Sequence, residues 1–256
     1  MEGVAIAYSG GVDSTFLLKV GHDILKEKVV AVTARSAANP EREYLGAVDF
    51  ARKIGVAHVV IEGDEFAIEG FSNNPVNRCY LCKKSLFIKI WEIARARSIP
   101  CVLDGTNRDD TDDYRPGMQA LTELGVVSPL KEAGLSKDDI RKLSREMALP
   151  TWNKPAFACL FSRFPYGHSI TRAGLQAVDE AEQFLIDSGL EQVRVRHHGD
   201  TARIEVSARE RNKFFNTDFM DKVYAYFRRL GFIYVTLDLK GYRTGSMNEV
   251  VKILDD

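Results

Sequence analysis

The chain has 256 residues, 45% of them hydrophobic and 28% charged, with a formal net charge of −1. This is a globular composition, long enough for one large domain or two modest ones. The near-zero charge argues against a nucleic-acid partner, and no apolar run reaches the roughly 18 residues of a membrane span. A first strand starting at Val4 leaves no room for a signal peptide, so a cytoplasmic location is expected. Four cysteines in that compartment point to metal binding, catalysis or burial rather than disulfides.

Residues 4–8 read as a buried strand, followed by the turn Ser9-Gly10-Gly11-Val12-Asp13-Ser14 and a helix with Leu17, Val20 and Ile24 on one face. Further strands are predicted over 29–34, 57–62, 100–104 and 126–130. The helices between them place Leu45, Val48 and Ile54 inward, and then, over 78–98, Leu86, Ile90 and Ile93. Strands alternating with helices define an α/β fold with a doubly wound parallel sheet, whose ligands lie at the carboxyl ends of the strands. Ser136 is expected to cap a helix over 137–148, with Asp138 and Asp139 in its first turn.

Pro150 and Pro155 break the pattern and divide a domain over 1–152 from a second over 153–256. After Gly167 come a helix over 171–188, strands over 192–197 and 201–207, a helix over 210–230 and a strand over 233–239. That order predicts a smaller α+β domain.

The Gly-Gly turn between strand and helix presents backbone N–H groups and a positive helix end to an anion, while Ser9 and Ser14 add hydroxyl donors. Asp13 beside phosphate calls for a divalent cation such as Mg²⁺. The Walker pattern is absent, so the phosphate reading rests on Ser-Gly-Gly-x-Asp-Ser itself. Thr33 and Arg35, at the end of the second strand, are placed to contact adenosine. The acidic loop 103–117, with Gly105 and Asp113, is placed to hold Mg²⁺ or nucleotide hydroxyls, against the plainer reading of a solvated charge run.

Cys79 and Cys82 lie one helical turn apart, which suits a redox pair, half a zinc site or part of an iron–sulphur site. Cys159 stands in the segment joining the domains, with Arg163 near enough to hold thiolate or phosphate. Cys101 starts a strand and reads as a core residue. Arg194 and Arg196 share one strand face, where two guanidiniums repel unless an anion joins them. Glu182 and Glu205 are candidates to face the same place. No metal-ligand spacing emerges among the five histidines.

Taken together, these blocks resemble the LarE family of PP-loop ATP pyrophosphatases: Ser9 to Ser14, Arg78-Cys79-x-x-Cys82-Lys83, Leu103-Asp104-Gly105-Thr106-Asn107, Asp113-Tyr114-Arg115-Pro116-Gly117, Cys159-Leu160-x-Ser162-Arg163-x-Pro165-Tyr166-Gly167, Val193-Arg194-Val195-Arg196 and Asp238-Leu239-x-Gly241-Tyr242-Arg243. The likeness runs from Val4 to about Asn248 without the short helix that usually precedes the first strand. It implies an ATP-dependent sulphur transferase that adenylates a carboxylate of pyridinium-3,5-biscarboxylic acid mononucleotide and replaces AMP with sulphur, for the nickel-pincer cofactor of lactate racemase. It also implies a homo-oligomer, a hexamer, with Arg194 and Arg196 on the substrate phosphate. One branch of the family sacrifices a cysteine matching Cys159. The other holds a 4Fe-4S cluster on three cysteines, and Cys79, Cys82 and Cys159 assign the chain to that branch. Three alternatives remain: a tRNA thiolase, an ammonia-using amidotransferase and a nucleotide-binding zinc sensor.

Overall fold

The computed structural model describes residues 3–111, 116–155, 158–243 and 246, so Asp113 lies outside the described residues. The chain forms two compact units, one of residues 1–71 and 76–157 and the other of 72–75 and 158–256.

The first unit holds a four-stranded parallel sheet in the order β3-β2-β1-β4. Its strands are β1 (Val4–Ala7), β2 (Val29–Arg35), β3 (Ala57–Glu62) and β4 (Val102–Leu103). The intervening helices are α1 (Val12–Leu25), α2 (Glu41–Ile54) and α3 (Arg78–Ala96). After β4 follow α4 (Pro116–Glu123), the single turn α5 (Pro129–Glu132) and α6 (Lys137–Glu146).

Successive strand residues point to opposite faces, and each face has its own core. Val4, Ile6, Val29 and Ala31 pack with Phe16, Leu17, Ala47, Phe50 and Ile140. Ala5, Val30 and Val32 pack with Phe87, Ile90, Ala94 and Leu121. A sheet buried on both sides needs apolar residues at every position, which explains why β1 and β2 read as continuous runs. The α/β doubly wound class expected from sequence is the one observed.

Three expectations are corrected here. Residues 126–130 form no strand. Val127 makes a single bridge to Leu103, and Pro129, lacking an N–H, starts α5 instead. Ile24 is 71% exposed and Leu45 54% exposed. In α2 the inward face is Ala47, Phe50 and Ala51, set by close packing of small residues rather than by the bulkier periodic set. The Ser136 cap holds, with its side chain accepting from the Asp139 N–H while the Asp139 carboxylate accepts from the Ser136 N–H.

The second unit contains α7 (Arg172–Asp187), β5 (Val193–His198), β6 (Thr201–Val206), α8 (Thr217–Arg229) and β7 (Tyr234–Leu237). β6 pairs antiparallel with β5 and parallel with β7. The helix predicted over 210–230 is divided. Asn216 accepts from the Phe219 N–H and starts α8, and a short 3₁₀ turn over Arg211–Phe215 precedes it. No helix among the described residues is long and apolar enough to cross a membrane.

Candidate active site

The turn after β1 is built for close backbone approach. Gly10 sits at φ +73°, and a Cβ there would lie 2.9 Å from the Ala47 Cβ, so α2 presses directly on the turn. Gly11 precedes α1 and no side chain caps that helix end, which leaves its first N–H groups for a ligand. The Ser9 and Ser14 hydroxyls stand 3.1 Å apart, and Ser14 Oγ donates to the Gly11 carbonyl at 3.3 Å. The two hydroxyls therefore lie side by side at the turn.

Gly105, from the loop after β4, closes the other side. A Cβ on it would lie 3.1 Å from the Ser14 backbone nitrogen and 3.2 Å from its Cα. A side chain here would have to push the Ser14 backbone by a few tenths of an ångström, so the close approach favours glycine. The neighbouring acids are tied into the loop by hydrogen bonds, although Asp109 is exposed. Asp104 is buried and accepts from the Thr106 and Ser128 hydroxyls. Asp109 accepts from the Lys137 N–H at 2.8 Å, and Asp110 from the Asn107 N–H at 3.1 Å.

Asp13 faces Lys137, which sequence reasoning missed, and Asn107, which it placed in the acidic loop without a role of its own. Lys137 Nζ donates to its carboxylate at 2.6 Å, and Asn107 Nδ2 at 3.5 Å. Lys154 Nζ donates to the Gly10 carbonyl at 3.0 Å and pairs with Glu43 at 2.7 Å. One signal was available for Lys137, since a lysine in a first helical turn opposes the helix dipole and needs another reason to be there. Lys154 carried no such mark.

Beside the turn, Ala7, Tyr8, Val32, Thr33, Tyr44, Leu86 and Ile90 line a cavity of about 100 Å³ at the carboxyl ends of β1 and β2. Thr33 lies in its wall, donating to the Tyr8 carbonyl at 2.7 Å, with His58 Nε2 2.8 Å from the same hydroxyl. Burial pushes the Tyr8 phenol up to about 12 and lowers His58, so both stay neutral near pH 7. Arg35 is exposed, paired with Glu41 at 2.9 Å and stacked over Tyr44, one of the residues that line the cavity.

Cys79 is exposed and Cys82 half-buried at the start of α3. The four cysteines form no disulfide, and Cys101 is half-buried with its thiol pushed up by burial. Among the described residues no group of three or more His, Cys, Asp or Glu side chains stands together as a metal site.

In the second unit, Cys159 is exposed just ahead of a 3₁₀ turn, Leu160–Arg163. Arg163 is fully buried. Its guanidinium grips both Glu182 oxygens at 2.7 and 2.9 Å, and donates to the Ala158 and Cys159 carbonyls at 3.0 and 3.3 Å. It thus fixes the backbone that carries Cys159. Arg194 and Arg196 are also buried on their shared face. Arg194 lies over the Tyr242 ring, and burial followed by the charge of Arg163 lowers its pKa. Arg196 pairs with Glu205 at 2.7 Å and donates to the Ser162 carbonyl and the Ser246 hydroxyl, while its Nε finds no hydrogen-bond partner. A buried cation with an unsatisfied donor is suited to an anion.

No protein-family model matches the chain. An uncharacterized protein of Synechocystis is 43% identical over 251 residues, covering 98% of this chain and 94% of that protein. The pyridinium-3,5-bisthiocarboxylic acid mononucleotide synthase of Lactiplantibacillus plantarum is 38% identical over 252 residues, covering 98% and 91%. Shorter matches reach the argininosuccinate synthase of Methanococcus maripaludis, 28% identical over 159 residues and covering 57% and 40%. A glutamine-hydrolyzing GMP synthase polypeptide of Archaeoglobus fulgidus is 25% identical over 157 residues, covering 57% and 50%. The parallel sheet, the Ser-Gly-Gly turn and these relatives make the chain an enzyme of the PP-loop ATP pyrophosphatase class. Within that class it belongs to the LarE family.

Proposed function

We propose that the chain is an ATP-dependent sulphur transferase that converts pyridinium-3,5-biscarboxylic acid mononucleotide to its thiocarboxylate. The observation that carries this reading is the match, along 98% of the chain, to a synthase whose name states the bisthiocarboxylic product. A carboxylate is a poor electrophile, so it must first be activated. Its oxygen attacks the α-phosphorus of ATP, the bond to the β-phosphate oxygen breaks, and pyrophosphate leaves with the electron pair. Sulphur then adds to the acyl carbon of the adenylate and AMP departs.

Ser9, Gly10, Gly11 and Ser14 bind the polyphosphate, Gly105 keeps the turn closed, and the cavity bordered by Thr33 takes the adenine. Asp13 would hold Mg²⁺, which supplies charge neutralisation for the leaving pyrophosphate. Arg35 and Asp113 are assigned to nucleotide binding in this reading, and Arg194 and Arg196 to the substrate phosphate. Arg163 is a positioning residue for Cys159. Cys79 and Cys82 offer a thiolate pair one helical turn apart, and the resemblance adds Cys159 as the third cysteine of a 4Fe-4S donor set. Bound there, the cluster would supply an open iron for sulphide. The exposed Cys159 also suits the sacrificial alternative, in which its own sulphur is transferred. The proposal includes a domain division at 152/153, a hexameric assembly and a cytoplasmic location.

Pyrophosphate release that depends on both Mg²⁺ and the mononucleotide tests the activation step. Asp13→Ala should lower it by roughly 10²-fold or more, as for other groups that stabilise developing charge. Near-normal release by that variant would remove Asp13 from the reaction.

A further inference from the structure

The three-stranded sheet of the second unit ends in β5 on one side and β7 on the other. The β5 edge is closed by α7, where the Glu182 carboxylate accepts from the Val195 N–H. At β7 the Tyr234 and Asp238 N–H groups donate to the Asp200 and Ile204 carbonyls, on the β6 side. The alternate residues Val235 and Leu237 therefore turn their N–H and C=O groups outward. Tyr234-Val235-Thr236-Leu237 carries no charge and no proline, the usual means of blunting an open edge. Exposed apolar residues gather along it: Ile233, Tyr234 and Leu239 are 45%, 63% and 84% exposed, and Met220 and Tyr224 are exposed on α8. In α8, Phe219 and Tyr226 share a cavity with Phe184 of α7. Since α7 lies on the β5 side, the other flank of α8, with Met220, Tyr224 and Arg228, faces the β7 side. Asp221 and Arg228 give that flank opposite charges at its two ends, and Arg228 also donates to the Phe232 carbonyl at 3.2 Å. Single surface hydrophobics are ordinary, but five around one open edge mark a contact surface.

We propose that β7 and α8 form a two-fold contact with a second copy of this chain, β7 pairing antiparallel with its counterpart about Thr236. This deepens the assembly reading above and rests on it, because a closed hexamer of two trimers needs a two-fold contact. Centred on Thr236, the outward groups of Val235 exchange N–H···O=C bonds with Leu237 of the second copy, and those of Leu237 with its Val235. The same register sets Ile233 beside Leu239 of the second copy and Tyr234 beside its Asp238; no other register covers the two exposed aliphatic residues with one another. Three strand residues and about seven helical residues both span about 10 Å. Counting back from the turn between α8 and β7, Thr236 therefore lies level with Tyr224. The two α8 helices then meet antiparallel around Tyr224, with Asp221 of each copy opposite Arg228 of the other. A surface that complements itself under one rotation, in backbone groups, apolar residues and charge, selects a second copy over an unrelated partner.

Thr236→Cys tests the register. Residues on the axis form a non-hydrogen-bonded pair with Cα atoms about 4.5 Å apart, within disulfide reach. Treated with the thiol oxidant diamide, this variant should give a two-chain species joined through position 236, located by peptide mass spectrometry and absent from the parent. Sedimentation of the full chain reads the contact without a crosslink. Val235→Pro removes an outward N–H and no bond to β6, and should halve the six-chain mass. Leu239→Glu should do the same, and it keeps the test open if the proline variant folds poorly, since that side chain is too exposed to support the fold. Asp221→Lys should raise the half-dissociation concentration about 10-fold or more by setting like charges opposite one another, and adding Arg228→Glu should restore assembly. A parent that assembles while these variants keep its mass and Thr236→Cys gives no crosslink would overturn the contact and leave the assembly reading standing. A two-chain parent, reduced to single chains by the same variants, would support the contact and remove the hexamer. A single-chain parent would overturn both.

Discussion

Arg163→Met should destabilise the α+β unit strongly, and by an amount that depends on pH. Arg163 and Glu182 are 0% and 1% exposed and joined by two hydrogen bonds. Without the guanidinium, Glu182 keeps one donor, the Val195 N–H at 2.9 Å, and a buried carboxylate so placed takes up a proton. Protonating a glutamate of ordinary pKa near 4.3 at pH 7 costs about 3.7 kcal/mol at about 1.36 kcal/mol per unit. That falls within the roughly 3–5 kcal/mol typical of breaking one side of a buried pair. The variant's Glu182 has its folded pKa raised above the unfolded value. The protonated form is therefore favoured by folding, and the loss shrinks as pH falls from 7 toward 5. Both tryptophans, Trp91 and Trp152, belong to the other unit, so the assay is hydrogen exchange at the amides of α7 and β5, read by mass spectrometry. Arg163→Met paired with Glu182→Leu should recover part of the loss, since the orphaned charge is gone while the Val195 N–H loses its acceptor. A single variant that loses under about 1 kcal/mol, or loses the same at pH 7 and pH 5, would refute this reasoning.

Gly105→Ala should cost about 1–3 kcal/mol, because its methyl meets the Ser14 backbone at 3.1–3.2 Å and overpacking against backbone has little relief. Calorimetric unfolding checks the stability, and ATP titration should show weakened binding as α1 shifts; an unaltered melting temperature would contradict the close contact. Burial lowers the pKa of His58, His197 and His198. The unfolded chain thus binds protons more readily than the folded one, and stability should rise with pH from below the lowered folded values up to about 6.5. Urea unfolding at pH 5.5, 6.5 and 7.5 measures this, and the reverse slope below 6.5 in parent protein, lost on His58→Asn, would place the histidines differently.

Local features were the legible part of this chain. The Ser-Gly-Gly turn declares itself because φ, hydroxyl donors and helix start all lie within six residues, and Ser136 with Asp139 encodes its cap within four. The central strands were legible because burial on both faces leaves an unbroken apolar run. Features set by distant contacts were not. Ile24 and Leu45 fit the period yet stay exposed, and α2 packs inward through Ala47, Phe50 and Ala51 instead. Val126 and Val127 read as strand until Pro129 limits the pairing to one bridge. Asn216 hid a helix start inside a periodic run. In the site, Lys137 and Lys154 reach Asp13 and Gly10 across 124 and 144 positions, a juxtaposition that no local pattern encodes. The enclosure of Arg163 by Glu182 was equally invisible, and it changes that arginine from a group near a thiolate to the support of the segment carrying Cys159.

The central claim is sulphur transfer to an activated carboxylate, and the mass of the product tests it most directly. Protein prepared anaerobically with iron and sulphide is given Mg²⁺, ATP and pyridinium-3,5-biscarboxylic acid mononucleotide, and the small molecules are identified by mass spectrometry. The account predicts a thiocarboxylate with one oxygen replaced by sulphur, formed together with AMP and pyrophosphate and lost on Cys159→Ser. Formation of ADP, or of AMP and pyrophosphate with the mononucleotide recovered unchanged and no sulphur incorporated, would contradict it.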